Sequence, residues 1–107
     1  MDLSDLRARI DAIDSGLLDA LARRFAVGDE VGRFKAEHGL PARDPDREAE
    51  MTARYRAEAE RRGLDPDVVE GIFRLILDTT VARHEQVPRQ PAAAPPHVAR
   101  TEFDQSR

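Results

Sequence analysis

Arg24 and Lys35 stand eleven residues apart in a stretch of regular helical pattern. On an α-helix that spacing leaves them about 20° apart around the axis and about 16 Å apart along it. Two long cationic side chains leaning towards each other from those positions can grip opposite ends of one small anion. Both also fall on the stripe Ile10, Asp14, Leu17, Leu21, Arg24, Gly28, Val31, Lys35, which an amphipathic helix keeps for apolar residues. A buried cation calls for a buried carboxylate or an anionic ligand. Arg23 and Arg33 lie off the stripe and read as ordinary surface charge. Asp14 has no role beyond a possible partner for a nearby cation.

Asp44, Arg47 and Glu48 follow at spacings of three and four. They share one face of the first turn of a helix, where an Arg stands among carboxylates near the positive helix end. The cluster reads either as a local salt-bridge network or as a site for a polar group that both donates and accepts. Asp44 is also a helix cap, and the two roles are compatible. Thr80 and His84 are one turn apart on the inner face of a third helix. A lone His on an apolar face is usually a core residue, and Thr often bonds back to its own helix. Arg7 lies seventeen residues before Arg24, about 25 Å along the axis. It cannot share a small ligand with Arg24 of its own chain, but in an antiparallel dimer it can share one with Arg24 of the other.

The elements that must position these residues are helices. Leu6, Ile10, Ile13, Leu17 and Leu21 recur at helical spacing, and the pattern continues through Val27, Val31 and Phe34. The spacing predicts one helix from Leu3 to about His38, capped by Asp2 or Ser4 and stopped by Gly39 and Pro41. At 1.5 Å per residue it is about 50 Å long, too long for a compact monomer of this size, and so predicts a partner alongside, most simply a second copy. Asp44 and Pro45 open a second helix that runs to about Arg62 and stops at Gly63. Its apolar face, Met51, Tyr55 and Ala59, is thin. Asp65 and Pro66 open a third, with Val68 or Val69, Ile72, Phe73, Ile76, Leu77, Thr80, Val81 and His84 on its inner face. Residues 1–87 thus form one helical domain. Residues 88–107, rich in Pro and Ala and without periodicity, read as a disordered tail.

Composition agrees with this class and narrows the function. The 107 residues are 36% charged and 40% hydrophobic, only 5% are aromatic, and Trp is absent. A sheet-based domain would want more β-branched and aromatic residues. The net charge of −4 argues against a nucleic-acid footprint. Without cysteine there is neither disulfide nor thiolate chemistry. His38, His84 and His97 lack metal-ligand spacing, and no Gly-rich phosphate loop occurs, so neither metal nor cofactor is expected. No apolar run reaches membrane-span length and the start lacks a signal peptide's apolar core, so the expected location is the cytoplasm, with no membrane partner.

The pattern resembles the all-helical chorismate mutase family, the small bacterial type that forms intertwined dimers. The resemblance covers roughly residues 3–87. It rests on Leu6-Arg7-Ala8-Arg9-Ile10-Asp11-Ala12-Ile13-Asp14 with Leu17-Leu18, then Leu21-Ala22-Arg23-Arg24, then Glu30-Val31-Gly32-Arg33-Phe34-Lys35. It continues in Arg43-Asp44-Pro45-Asp46-Arg47-Glu48 and Ile72-Phe73-Arg74-Leu75-Ile76, all in order and without gaps. It implies an all-α fold of three helices per chain in an intertwined homodimer, and the Claisen rearrangement of chorismate to prephenate in aromatic amino-acid biosynthesis. It implies that Arg24 and the partner chain's copy of Arg7 hold the substrate's two carboxylates. Lys35 would bond the ether oxygen and a carboxylate, Asp44 and Glu48 the ring hydroxyl, with Arg47 adding positive charge. Thr80 stands where the family often has Ser, and His84 where it usually has Gln donating to the ether oxygen. A lyase or mutase acting on isochorismate or the 4-amino analogue of chorismate is an alternative, as is a non-catalytic helical dimerisation or regulatory module.

Overall fold

The computed structural model describes residues 1–88. They form three helices, α1 (Leu3–Glu37), α2 (Pro45–Arg61) and α3 (Pro66–Glu85), and no strand occurs among the described residues. The expected tail lies outside them from residue 89 onward.

Each helix starts where its local chemistry requires. Asp2 caps α1: its side chain accepts from the Asp5 N–H at 2.9 Å, and Asp5 reaches back to the Asp2 N–H at 3.1 Å. Asp44 accepts from the Arg47 N–H at 3.1 Å and Asp65 from the Asp67 N–H at 2.9 Å, each ahead of a Pro in the first turn. Such caps contribute about 1 kcal/mol apiece. The first two helices end on left-handed glycines, Gly39 at φ 65° and Gly63 at φ 71°. The turn lets Leu40 N–H reach back to the Lys35 carbonyl at 2.8 Å and Leu64 N–H to the Ala59 carbonyl at 2.9 Å, satisfying carbonyls the helix leaves free.

The third helix is the hub, packing on both α1 and α2. Ala36, Ala59, Ile76, Leu77 and His84 are buried there. Close approach of α1 and α3 depends on two glycines one turn apart. A Cβ on Gly28 would stand 3.3 Å from Thr80 Cγ2, and one on Gly32 only 2.5 Å from His84 Cδ2. Thr80 and His84, also one turn apart, therefore fit a notch that no larger residue would leave.

The apolar stripe along the first half of α1 is left exposed among the described residues. Ile10 is 55% exposed and Leu17 59%, and every residue from 1 to 20 is exposed. The reason is geometric: α1, at 35 residues, is far longer than α2 or α3, and no other described residue covers its first half. The radius of gyration is 18.8 Å, against about 13 Å for a compact chain of this size.

Candidate active site

Arg24, Lys35, Asp44, Arg47, Glu48, Thr80 and His84 all line one cavity of about 380 Å³. The C-terminal half of α1 supplies Arg24 and Lys35, the start of α2 supplies Asp44, Arg47 and Glu48, and the end of α3 supplies Thr80 and His84. Val27, Val31, Met51, Leu77 and Val81 form the apolar walls, and Gly28 leaves space between the two α1 cations. Arg7 is not among the lining residues and lies on the exposed first half of α1.

The cations are held at the rim by weak or easily exchanged partners. Lys35 Nζ donates to the Ala42 carbonyl at 3.0 Å, a bond that closes the α1–α2 loop over the helix end. Arg24 Nη2 donates to the Tyr55 hydroxyl at a long 3.4 Å, and its guanidinium lies 5.9 Å from the centre of the Phe73 ring. Tyr55 and Phe73 stack with centroids 3.9 Å apart, giving Arg24 a fixed aromatic backing. Neither cation has a carboxylate partner among the described residues. A site of this kind, two cations facing apolar walls, suits a small dianion with a hydrocarbon body.

The acidic end is more tightly organised. Glu48, with a side chain 13% exposed, takes Arg43 Nη1 at 2.8 Å and Arg74 Nη1 at 3.3 Å, both on Oε1. The second arm of Arg43 reaches Asp78 on α3 at 2.9 Å. Asp78, and after it Glu48, push the Arg43 pKa further up from its already high value. Asp44 presents a carboxylate at the head of α2, one oxygen of which caps the helix.

Thr80 donates its hydroxyl proton to the Ile76 carbonyl at 2.9 Å, which leaves the oxygen lone pairs and the methyl group for other contacts. His84 is 6% exposed. Its Nε2 lies 2.7 Å from the Gly28 carbonyl. A carbonyl can only accept, so Nε2 carries the hydrogen. Nδ1 is buried without a partner. The ring thus spends one nitrogen on α1, and only the imidazolium form can offer a second N–H. On the far side of this contact, Arg83 grips Asp29 at 2.9 and 2.5 Å, tying α3 to α1. Its guanidinium holds the Asp29 carboxyl below the ordinary carboxylate pKa.

Sequence reasoning did not single out Arg74, the Ala42 carbonyl or Tyr55. The first two act across elements and leave no periodic trace. Tyr55 was visible only as part of a thin apolar face. No group of residues suited to hold a metal ion occurs among the described residues. No described helix is long and apolar enough to cross a membrane.

Comparison with known proteins places the chain among relatives. The chain is 45% identical over 76 residues to a T-protein of Enterobacter agglomerans, covering 71% of this chain and 20% of the relative. It is 39% identical over 93 residues to the isochorismate pyruvate lyase of Pseudomonas aeruginosa, covering 86% of this chain and 90% of the relative. It is 34% identical over 86 residues to the 4-amino-4-deoxychorismate mutase of Streptomyces venezuelae, covering 80% and 82%. The chain spans about a fifth of the length of the T-proteins it matches. The sequence model for chorismate mutase type II matches residues 6–85, which carry all three helices almost end to end, and the chain belongs to that family.

Proposed function

We propose that this protein rearranges chorismate to prephenate. The observation that carries the reading is the convergence of Arg24, Lys35, Asp44, Arg47, Glu48, Thr80 and His84 on one cavity of about 380 Å³. The reaction is intramolecular: the ether C–O bond breaks as a C–C bond forms between the enolpyruvyl methylene and the ring. It needs no nucleophile and no external proton. Arg24 takes one carboxylate, and Thr80 adds a polar contact. Held at both ends, the substrate stays in its compact reactive conformer. Lys35 exchanges its bond to the Ala42 carbonyl for the ether oxygen, where negative charge grows as the bond breaks. The free oxygen of Glu48 accepts from the ring hydroxyl, with Asp44 beside it, and Arg47 adds positive charge next to them.

His84 has a narrower part than a Gln would have. Its Nε2–H is committed to Gly28, so only its charged form brings a second N–H, and Lys35 carries most of the stabilisation at the ether oxygen.

The second carboxylate is met by Arg7 of another copy, in a homodimer. Two features support this. Leu3, Leu6, Ile10, Ile13, Leu17 and Leu18 are 42–69% exposed along the first half of α1. An apolar groove of about 710 Å³ opens beside Leu17, Leu21, Tyr55, Ile72 and Phe73, with Arg24 shared between groove and cavity. The groove suits the first half of a second α1, which would bring Arg7 to Arg24.

A second reading is supported by the two relatives matched over most of their length, a lyase for isochorismate and a mutase for 4-amino-4-deoxychorismate by their names. One experiment separates the readings. Each of the three compounds is incubated with the protein and the products are identified by NMR. Prephenate from chorismate, formed with the highest kcat/KM of the three, is expected. Faster pyruvate release from isochorismate, or faster turnover of the amino compound, would replace the assignment.

A further inference from the structure

Glu48 is held from two elements at once. Arg43, in the loop before α2, and Arg74, on α3, both bond Oε1. No described residue bonds Oε2. Arg43 also bridges to Asp78, one turn after Arg74 on α3. Two guanidiniums and two carboxylates therefore form a closed set with no net charge, and one carboxylate oxygen is left over on a residue that lines the cavity.

That arrangement separates two properties of Glu48. As a hydrogen-bond acceptor, Oε2 is free and its direction is fixed by the two bonds on its neighbour. As a counter-ion, the carboxylate is already offset. A neutral hydroxyl needs only the acceptor. An ammonium needs uncompensated negative charge, and meets Arg43 and Arg74 behind the carboxylate instead. We infer that Arg43 and Arg74 are specificity-determining positioning residues, which aim Glu48 at a ring hydroxyl and disfavour a ring ammonium in its place. The inference rests on the proposed action on chorismate-like substrates and adds the reason for choosing the hydroxyl-bearing one.

Arg74 is the residue to vary, because its side chain is 43% exposed and its loss opens no buried cavity. Chorismate serves as substrate and 4-amino-4-deoxychorismate as competitor, and the ratio of the competitor's inhibition constant to the KM for chorismate is measured. Arg74→Gln is expected to lower that ratio about fivefold, the size of effect that partly exposed charge pairs support. Arg74→Lys, which keeps the charge, should hold the ratio within about twofold of the parent. An equal shift in both variants would show that the guanidinium charge is not what disfavours the ammonium and would overturn the inference, as would no shift in Arg74→Gln. Helix content by circular dichroism checks that the variants are folded. A parent that turns over chorismate with an unmoved ratio overturns the inference alone. A parent that turns over no chorismate overturns the functional reading, and this inference with it.

Discussion

The imidazole of His84 occupies the space that a side chain on Gly32 would fill, its Cδ2 only 2.5 Å from where a Cβ would stand. The same ring donates to the carbonyl of Gly28 one turn earlier. His84 therefore joins α1 to α3 at the floor of the cavity, and the glycine pair makes room for it. Gly→Ala inside a helix ordinarily stabilises by about 1 kcal/mol. Here overpacking should outweigh the gain, and Gly32→Ala is expected to lower the melting temperature by about 5 °C. In a His84→Ala background, where the ring is gone, Gly32→Ala should cost little further stability. A Gly32→Ala protein as stable as the parent would mean that the ring moves aside without cost. His84→Gln restores an amide donor and should keep or raise chorismate turnover.

Lys35 and Arg24 carry different loads in the proposed reaction. Removing Lys35 takes away the donor at the ether oxygen, so Lys35→Ala should lower kcat by about a hundredfold or more. Arg24→Ala should raise KM as well, since it removes a carboxylate ligand that acts before and during the rearrangement. Both side chains sit at the cavity rim, so helix content should stay at the parent level. Steady-state kinetics with chorismate check the split. A Lys35→Ala protein within a few-fold of the parent kcat would remove Lys35 from the chemistry.

Much of this was legible in the sequence because the signals are local. Asp2, Asp44 and Asp65 start helices, and Gly39 and Gly63 end them, through bonds that reach only a few residues along the chain. The cavity residues were legible by type and spacing, since Arg24 and Lys35 are cations on a face where cations are out of place. Contacts between elements were not. Nothing near Arg74 in the sequence tells of Glu48, and nothing near Gly32 tells of His84. The stripe through Ile10 and Leu17 was legible as apolar, and the length of α1 pointed to a cover outside the chain, but the sequence does not say which surface of a partner would supply it.

The Asp29–Arg83 pair fixes α1 against α3 and has a definite pH signature. The folded-state pKa of Asp29 lies below the ordinary 3.8, so the folded state binds fewer protons at that group than the unfolded state does. Its contribution to stability is complete above the ordinary value and is lost as pH falls through the depressed one. Asp29→Asn should therefore have a lower urea midpoint than the parent at pH 7, and the gap should close as pH drops below about 4. The pair is exposed, so the gap is small. A gap that persists at low pH would assign the effect to something other than this ion pair.

The central claim is that one catalytic site is built from two copies of the chain, with Arg7 from one and Arg24 from the other. It is tested most directly by mixing Arg7→Ala and Arg24→Ala proteins, each nearly inactive alone, after unfolding and refolding them together. Random pairing makes half of the dimers mixed, and each mixed dimer has one site with both arginines intact, so about a quarter of all sites are restored. Chorismate turnover by the mixture should rise to about a quarter of the parent rate. A mixture no more active than its two components would contradict a shared site.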